Sequence, residues 1–247
     1  KLERVTLVDL PALKSIYSGS TTVLICDSLK RIEIEHCKEI ESVFWTGFNP
    51  LSTLKHLKLR NLINLKSVFD EEVLGLSARP TNFKTIYVAD CHKLKTVFSS
   101  GWLLGYFQSL ETIQVYSCHQ MEELISSSTY EEKEVLEEIT LPKLQRLQLS
   151  RLPELKSICS SSSVLICDSM NGLLIRGCKK LKRIPLRLSS LDNGQPSSLK
   201  EIDVDTKKHW ESLEWDQSNA KDVLFTFCKF HRDSNNDIDE EEKRNVW

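Results

Sequence analysis

The amino-acid sequence predicts an α/β solenoid: one coiled stack of about eight short units sharing a single parallel sheet. Three observations carry that expectation. Apolar residues recur in a fixed six-position pattern over most of the chain. The units follow one another at intervals of 25 to 34 residues, about 28 on average. The hexapeptide VLICDS also stands at 23–28 and again at 164–169, preceded by LPALKSI in one case and LPELKSI in the other. Five intervals separate the copies, so a block of several units has been copied within the chain.

Within each unit the apolar side chains sit at relative positions 1, 4, 6, 9, 12 and 15. The first reads Leu2, Val5, Leu7, Leu10, Leu13, Ile16, and the second Leu29, Ile32, Ile34, Cys37, Ile40, Val43. Six more start at Leu54, Phe83, Leu110, Leu144, Met170 and Leu199. Positions 4 and 6 alternate as in a strand, sending their side chains inward while 3, 5 and 7 face out. Positions 9, 12 and 15 recur every third residue, which suits an irregular or 3₁₀-like return path better than a long helix. The β-branched interiors LKSVF, LKTVF and LKSIC point the same way. This is the leucine-rich-repeat pattern, expected to fold as a horseshoe with a concave parallel sheet and an irregular or 3₁₀ convex side.

One unit buries about six apolar side chains, worth roughly 1.5–3 kcal/mol each, whereas ordering about 28 residues costs at least about 1 kcal/mol apiece. Stability must therefore come from stacking. The expected solenoid covers 1–215, its last unit a degenerate cap with Lys207 at position 9 and Trp210 at position 12. Residues 216–247 read as an acidic, disordered tail. KLERVTLVDL at the N-terminus reads as the start of a fragment lying inside something longer.

Four cysteines, Cys37, Cys91, Cys118 and Cys178, occupy position 9, and histidines adjoin three of them. Position 9 turns inward after the strand, where a small side chain can bond backbone groups, so these read as core residues and no metal is expected. Asp233, Asn235 and Asp237 imitate a calcium loop, but Ile238 replaces the required glycine and Arg244 the final glutamate. The stretch Ser126–Thr140 reads as a solvated acidic loop or short helix, and CSSSSV at 159–164 as a mobile convex loop.

A formal charge of −2 gives no general pull toward nucleic acid, and no apolar run is long enough to span a membrane. Sparse cysteines and the absence of an N-x-[ST] sequon favour a reducing, intracellular setting. No phosphate loop, dinucleotide fingerprint, zinc-protease or nucleophile-elbow motif occurs, so neither an enzyme nor a cofactor is expected. A catalytic β-helix acting on carbohydrate would need clustered exposed acids. The candidates Glu33, Glu35, Asp203 and Asp205 lie up to six units apart.

LKHLKLRNLINLKSVF (54–69), LPKLQRLQLSRLPELKSI (141–158) and LIRGCKKLKRIPL (174–186) resemble the C-terminal repeats of plant intracellular nucleotide-binding, coiled-coil-class disease resistance proteins. The resemblance covers about residues 1–213. It implies a cytoplasmic module that senses a pathogen effector or a guarded host protein and restrains a nucleotide-binding switch. The ATP/ADP-binding domain would lie elsewhere in the parent protein and would itself be an intramolecular partner. The substrate-recognition repeats of an F-box ubiquitin-ligase subunit are the competing reading, since they also place cysteine at position 9.

Positions 3, 5 and 7 form the columns on which a partner would rest. Tyr87 and Tyr116 on neighbouring strands are the expected anchors, as aromatic residues dominate interface hot spots. Around them stand His56, Lys58, Arg60, Gln114, Arg146, Gln148 and Arg176.

Overall fold

A computed structural model of the chain describes residues 2–16, 28–44, 53–69, 81–99, 107–126, 137–160, 163–188, 191, 198–217 and 219–231. Eight strands, Arg4–Val8, Arg31–Glu35, His56–Arg60, Thr85–Ala89, Thr112–Tyr116, Arg146–Ser150, Gly172–Arg176 and Glu201–Val204, begin at position 3 of the eight predicted coils. Each pairs in parallel with the next, and the register follows the repeat: Ile32 lies opposite Leu57, Leu57 opposite Ile86, Ile86 opposite Ile113. All six apolar positions of coils 2–7 are buried in one continuous core.

Backbone bonds tie each strand start to the previous coil. The position-2 carbonyl accepts two N–H groups from the coil that follows: Glu3 from Lys30 and Arg31, Lys30 from Lys55 and His56, Lys55 from Lys84 and Thr85, and so on to Asn171. A hydroxyl just before position 1 adds a further tie. Ser28 donates to the Leu2 carbonyl at 3.0 Å, Thr53 to Leu29 at 2.9 Å and Ser198 to Met170 at 2.9 Å. Ser169 makes a related bond to Pro142 at 2.6 Å. These bonds account for the serine that ends VLICDS. In the second copy Val164, Leu165 and Cys167 are buried, a structural use of the motif; residues 23–27 lie outside the described residues.

The chain leaves each of the first seven strands through a left-handed residue at position 8, where Asp9, His36, Asn61, Asp90, Ser117, Arg151 and Gly177 have φ between 51° and 63°. This turns position 9 into the core. The N–H of position 12 then bonds the carbonyl of position 9, from Leu13–Leu10 to Leu181–Cys178, closing an i to i+3 turn. That tight turn is the 3₁₀-like part of the return path. Beyond it the β-branched and aromatic residues extend into short parallel strands. Ser42–Phe44 pairs with Ser67–Phe69, and Phe98–Ser99, Glu123–Ser126, Ser157–Cys159, Arg183–Ile184 and Glu214–Trp215 form a five-stranded ladder. A third ladder joins Glu137–Thr140, Ser163–Ile166 and Leu186–Arg187.

Position 16, outside the six-position pattern, carries Phe44, Phe69 and Phe98 in coils 2–4. Their rings stack at 5.2 and 5.8 Å, and Phe107 closes the row 5.3 Å from Phe98. Within the expected loops, residues 127–136 and 161–162 lie outside the described residues. The serine stretch is anchored rather than free where it is described, with Ser160 and Ser163 buried and their hydroxyls 2.8 Å apart.

At the C-terminal end a helix replaces the turn of coil 8. Thr206 caps Lys207–Ser212 by accepting a bond from the His209 N–H at 3.1 Å, and Trp210 is buried beneath it, 5.3 Å from Trp215. The sheet then continues past the expected end of the solenoid. Residues 219–231, read from sequence as part of the tail, form the helix Ala220–Leu224, a 3₁₀ turn at Phe225–Phe227 and the strand Cys228–Phe230, which pairs in parallel with Glu201–Val204. Among the described residues the main sheet thus has nine strands. Phe225, Cys228 and Phe230 repeat positions 1, 4 and 6 at a spacing of 26 residues from coil 8, but polar residues at 233, 236 and 239 replace the rest of the pattern.

Candidate protein-recognition face

The outward side of the nine-stranded sheet is the broad surface that the repeat holds in common. Register sets its columns: Glu33, Lys58, Tyr87, Gln114, Gln148, Leu174 and Asp203 follow one another across position 5. Tyr87 and Tyr116 do meet, with ring centroids 5.5 Å apart. They are covered, however, each about 5–6% exposed, and pack with Ala89 as a small cluster of their own.

The neighbouring amides are buried as well. Tyr116 Oη donates to Gln148 Oε1 at 2.8 Å, and Gln114 Nε2 bonds the same oxygen. Arg176 is buried in a bidentate pair with Asp203, joined by His231 of the ninth rung at 2.7 Å from the guanidinium and 3.0 Å from the carboxylate. Rungs lie about 4.8 Å apart, so long side chains at positions 5 and 7 fold over one another. Alternation reveals which face a side chain takes; it does not reveal how densely that face is covered.

Accessible chemistry lies elsewhere on the face. Arg60 and Arg146 are exposed, and His56 and Lys58 half-buried. Lys58 pairs with Glu35 at 2.9 Å and stands 5.8 Å from the Tyr87 ring centroid. His56 Nδ1 shares a 2.8 Å hydrogen bond with Thr85 Oγ1. Burial and then the charges of Arg31, Lys55 and Lys84 hold its pKa below the ordinary histidine value, against a smaller upward pull from Glu111. A depression lined by Arg31, Glu33, His56, Lys58 and Tyr87 holds about 20 Å³, room for one water and too little for a small-molecule substrate.

The outward acids are held by partners. Glu33 receives Arg4 at 2.9 Å, Glu35 receives Lys58, Asp203 receives Arg176, and Asp205 accepts the Gly177 N–H at 2.8 Å. The position-9 thiols point inward, donating to the position-7 carbonyl of their own coil at 3.3–3.4 Å in Cys37, Cys91, Cys118 and Cys178. Burial pushes the Cys178 thiol up to about 12. No group of three or more metal-ligating side chains occurs among the described residues, and none of their helices is long and apolar enough to cross a membrane.

Comparison with known proteins agrees with this architecture. The family described as plant disease resistance protein RPS2-like, leucine-rich repeats, matches residues 45–103 and 100–189. Among individual proteins, the probable disease resistance protein At4g27220 of Arabidopsis thaliana is 36% identical over 133 residues, covering 53% of this chain and 14% of that protein. The putative disease resistance protein At4g10780 of the same plant is 30% identical over 184 residues, covering 69% and 20%. Disease resistance protein At4g27190, also from Arabidopsis thaliana, is 28% identical over 177 residues, covering 72% and 16%. The chain thus spans about a fifth or less of the length of these relatives. No solved structure matches it. Family match and sheet geometry coincide over the same coils: this chain belongs to the leucine-rich repeats of plant disease resistance proteins.

Proposed function

We propose that this chain is the recognition region of an intracellular plant immune receptor. Its strand face engages a pathogen effector or a guarded host protein, and the region restrains the nucleotide-binding switch of the parent receptor. The observation that carries this reading is a nine-stranded parallel sheet with one side turned outward, in a chain that belongs to the disease resistance repeats. That face has no catalytic pair and no substrate-sized pocket among the described residues, but it has breadth, and protein interfaces need breadth. Arg60 and Arg146 are its reachable contacts, with His56 and Lys58 beside them. Tyr87, Tyr116, Gln114, Gln148 and Arg176 form the stiff floor that keeps them in place.

Charge reversal at the two exposed arginines tests the reading. Arg60→Glu and Arg146→Glu, introduced together into the full receptor, are expected to abolish the pathogen-triggered response at unchanged protein level. An unaltered response would reject the strand face as the contact.

A further inference from the structure

Lys30, Lys55 and Lys84 occupy position 2 of three consecutive coils. Their stacking is enforced: the Lys30 carbonyl accepts the Lys55 N–H at 2.8 Å, and the Lys55 carbonyl accepts the Lys84 N–H at 2.8 Å. Like charges opposite one another on adjacent strands are destabilising. Among the described residues, acids form ion pairs with the two ends of the row, Glu3 at 2.8 Å from Lys30 and Glu111 at 2.6 Å from Lys84. Among the described residues no ion pair reaches Lys55. Arg31 and His56 stand at position 3 beside the row, and Arg31 lies 3.6 Å from Glu33. The same positions in coils 5–8 hold Glu111, Gln145, Arg146, Asn171, Lys200 and Glu201, in which the signs cancel.

A row of cations kept at a stability cost, at the strand starts that border the outward face, marks a place where function has overridden folding. We propose that the strand starts of coils 2–4 form a docking strip for an acidic segment of a protein partner, with Lys55 as its centre. This rests on the strand face being a recognition surface. Two rung intervals span only about 10 Å, matching a few consecutive carboxylates of a peptide. A strip this short offers too few rungs to follow a nucleic-acid backbone, so an acidic protein segment fits better than nucleic acid.

The test uses a fluorescein-labelled octaglutamate peptide titrated into the full 247-residue chain at low salt, with amide shifts mapping the contact. The largest shifts are expected at residues 30–31, 55–56 and 84. Affinity should fall at least about tenfold in Lys55→Glu. The same variant should melt at a higher temperature than the parent, because it replaces the middle of a like-charge row with a counter-charge. Weaker binding in a more stable protein separates a docking role from damage to the fold. Peptide binding unchanged by Lys55→Glu, shifts confined to other coils, or a short duplex DNA that binds the same residues more tightly than octaglutamate would overturn the proposal. The readout involves no receptor response, so it stands or falls separately from the arginine test.

Discussion

Coils 1 and 8 of this chain obey the same sequence rule but differ in what covers them. In coil 1, Val5 and Leu7 are only half-buried, and Leu2 and Leu10 are 59% and 41% exposed. In coil 8 the matching Ile202, Val204 and Leu199 are 0–5% exposed, because a helix, Trp210 and a ninth rung lie over them. Burial in such a stack is conferred by the next coil rather than by the residue itself, as nearest-neighbour stabilisation requires.

That difference can be broken by substitution. Leu59 and Leu7 share position 6, but Leu59 has a coil on each side. Leu59→Ala is expected to cost about 3–5 kcal/mol in denaturant unfolding, and Leu7→Ala only about 1 kcal/mol. Equal costs would mean that each coil holds itself together. Removing the C-terminal cover should make the two ends alike. Trp210→Ala is expected to cost about 3–5 kcal/mol and to expose the amides of Glu201–Val204 to exchange.

Smaller effects come from the turn that sets the stacking distance. Gly177 has φ 63°, and an added Cβ would lie 3.2 Å from the Arg151 backbone. Gly177→Ala should cost about 1–2 kcal/mol, whereas Ser117→Gly at the equivalent turn should gain up to about 1 kcal/mol. Thermal melts of both variants would rank the turns, and a gain from both would contradict the strain assigned to position 8. The smallest effect is electrostatic. The folded pKa of His56 lies below its ordinary 6.5, so the unfolded chain takes up the proton first as pH falls. Stability contributed by neutral His56 is therefore present above pH 6.5 and lost as pH drops through and below it. Replacing it in His56→Gln should flatten the unfolding free energy over that interval, and an unchanged slope would remove His56 as the cause.

Strand placement was legible because period-2 alternation at positions 4 and 6 has one physical solution once neighbours stack. The inward thiols were legible for a related reason: a small side chain at position 9 satisfies carbonyls that the turn leaves open. The left-handed residue at position 8 was harder to see, since Asp, His, Asn, Ser, Arg and Gly share no property beyond tolerating that turn in context. The ninth strand was hidden by the loss of positions 9, 12 and 15. Covering of Tyr87, Tyr116, Gln114, Gln148 and Arg176 was hidden because it depends on side chains from neighbouring rungs, 26 to 34 residues away in sequence. The lysine row was present in the letters at 30, 55 and 84, but only the register turns those positions into adjacent charges.

Amide hydrogen exchange, followed residue by residue along the stack, tests most directly whether coils depend on their neighbours. Protection at the strand-start amides should peak at His56, Thr85 and Thr112 and fall about a hundredfold or more toward Arg4. Uniform protection from the first coil to the ninth would contradict the account.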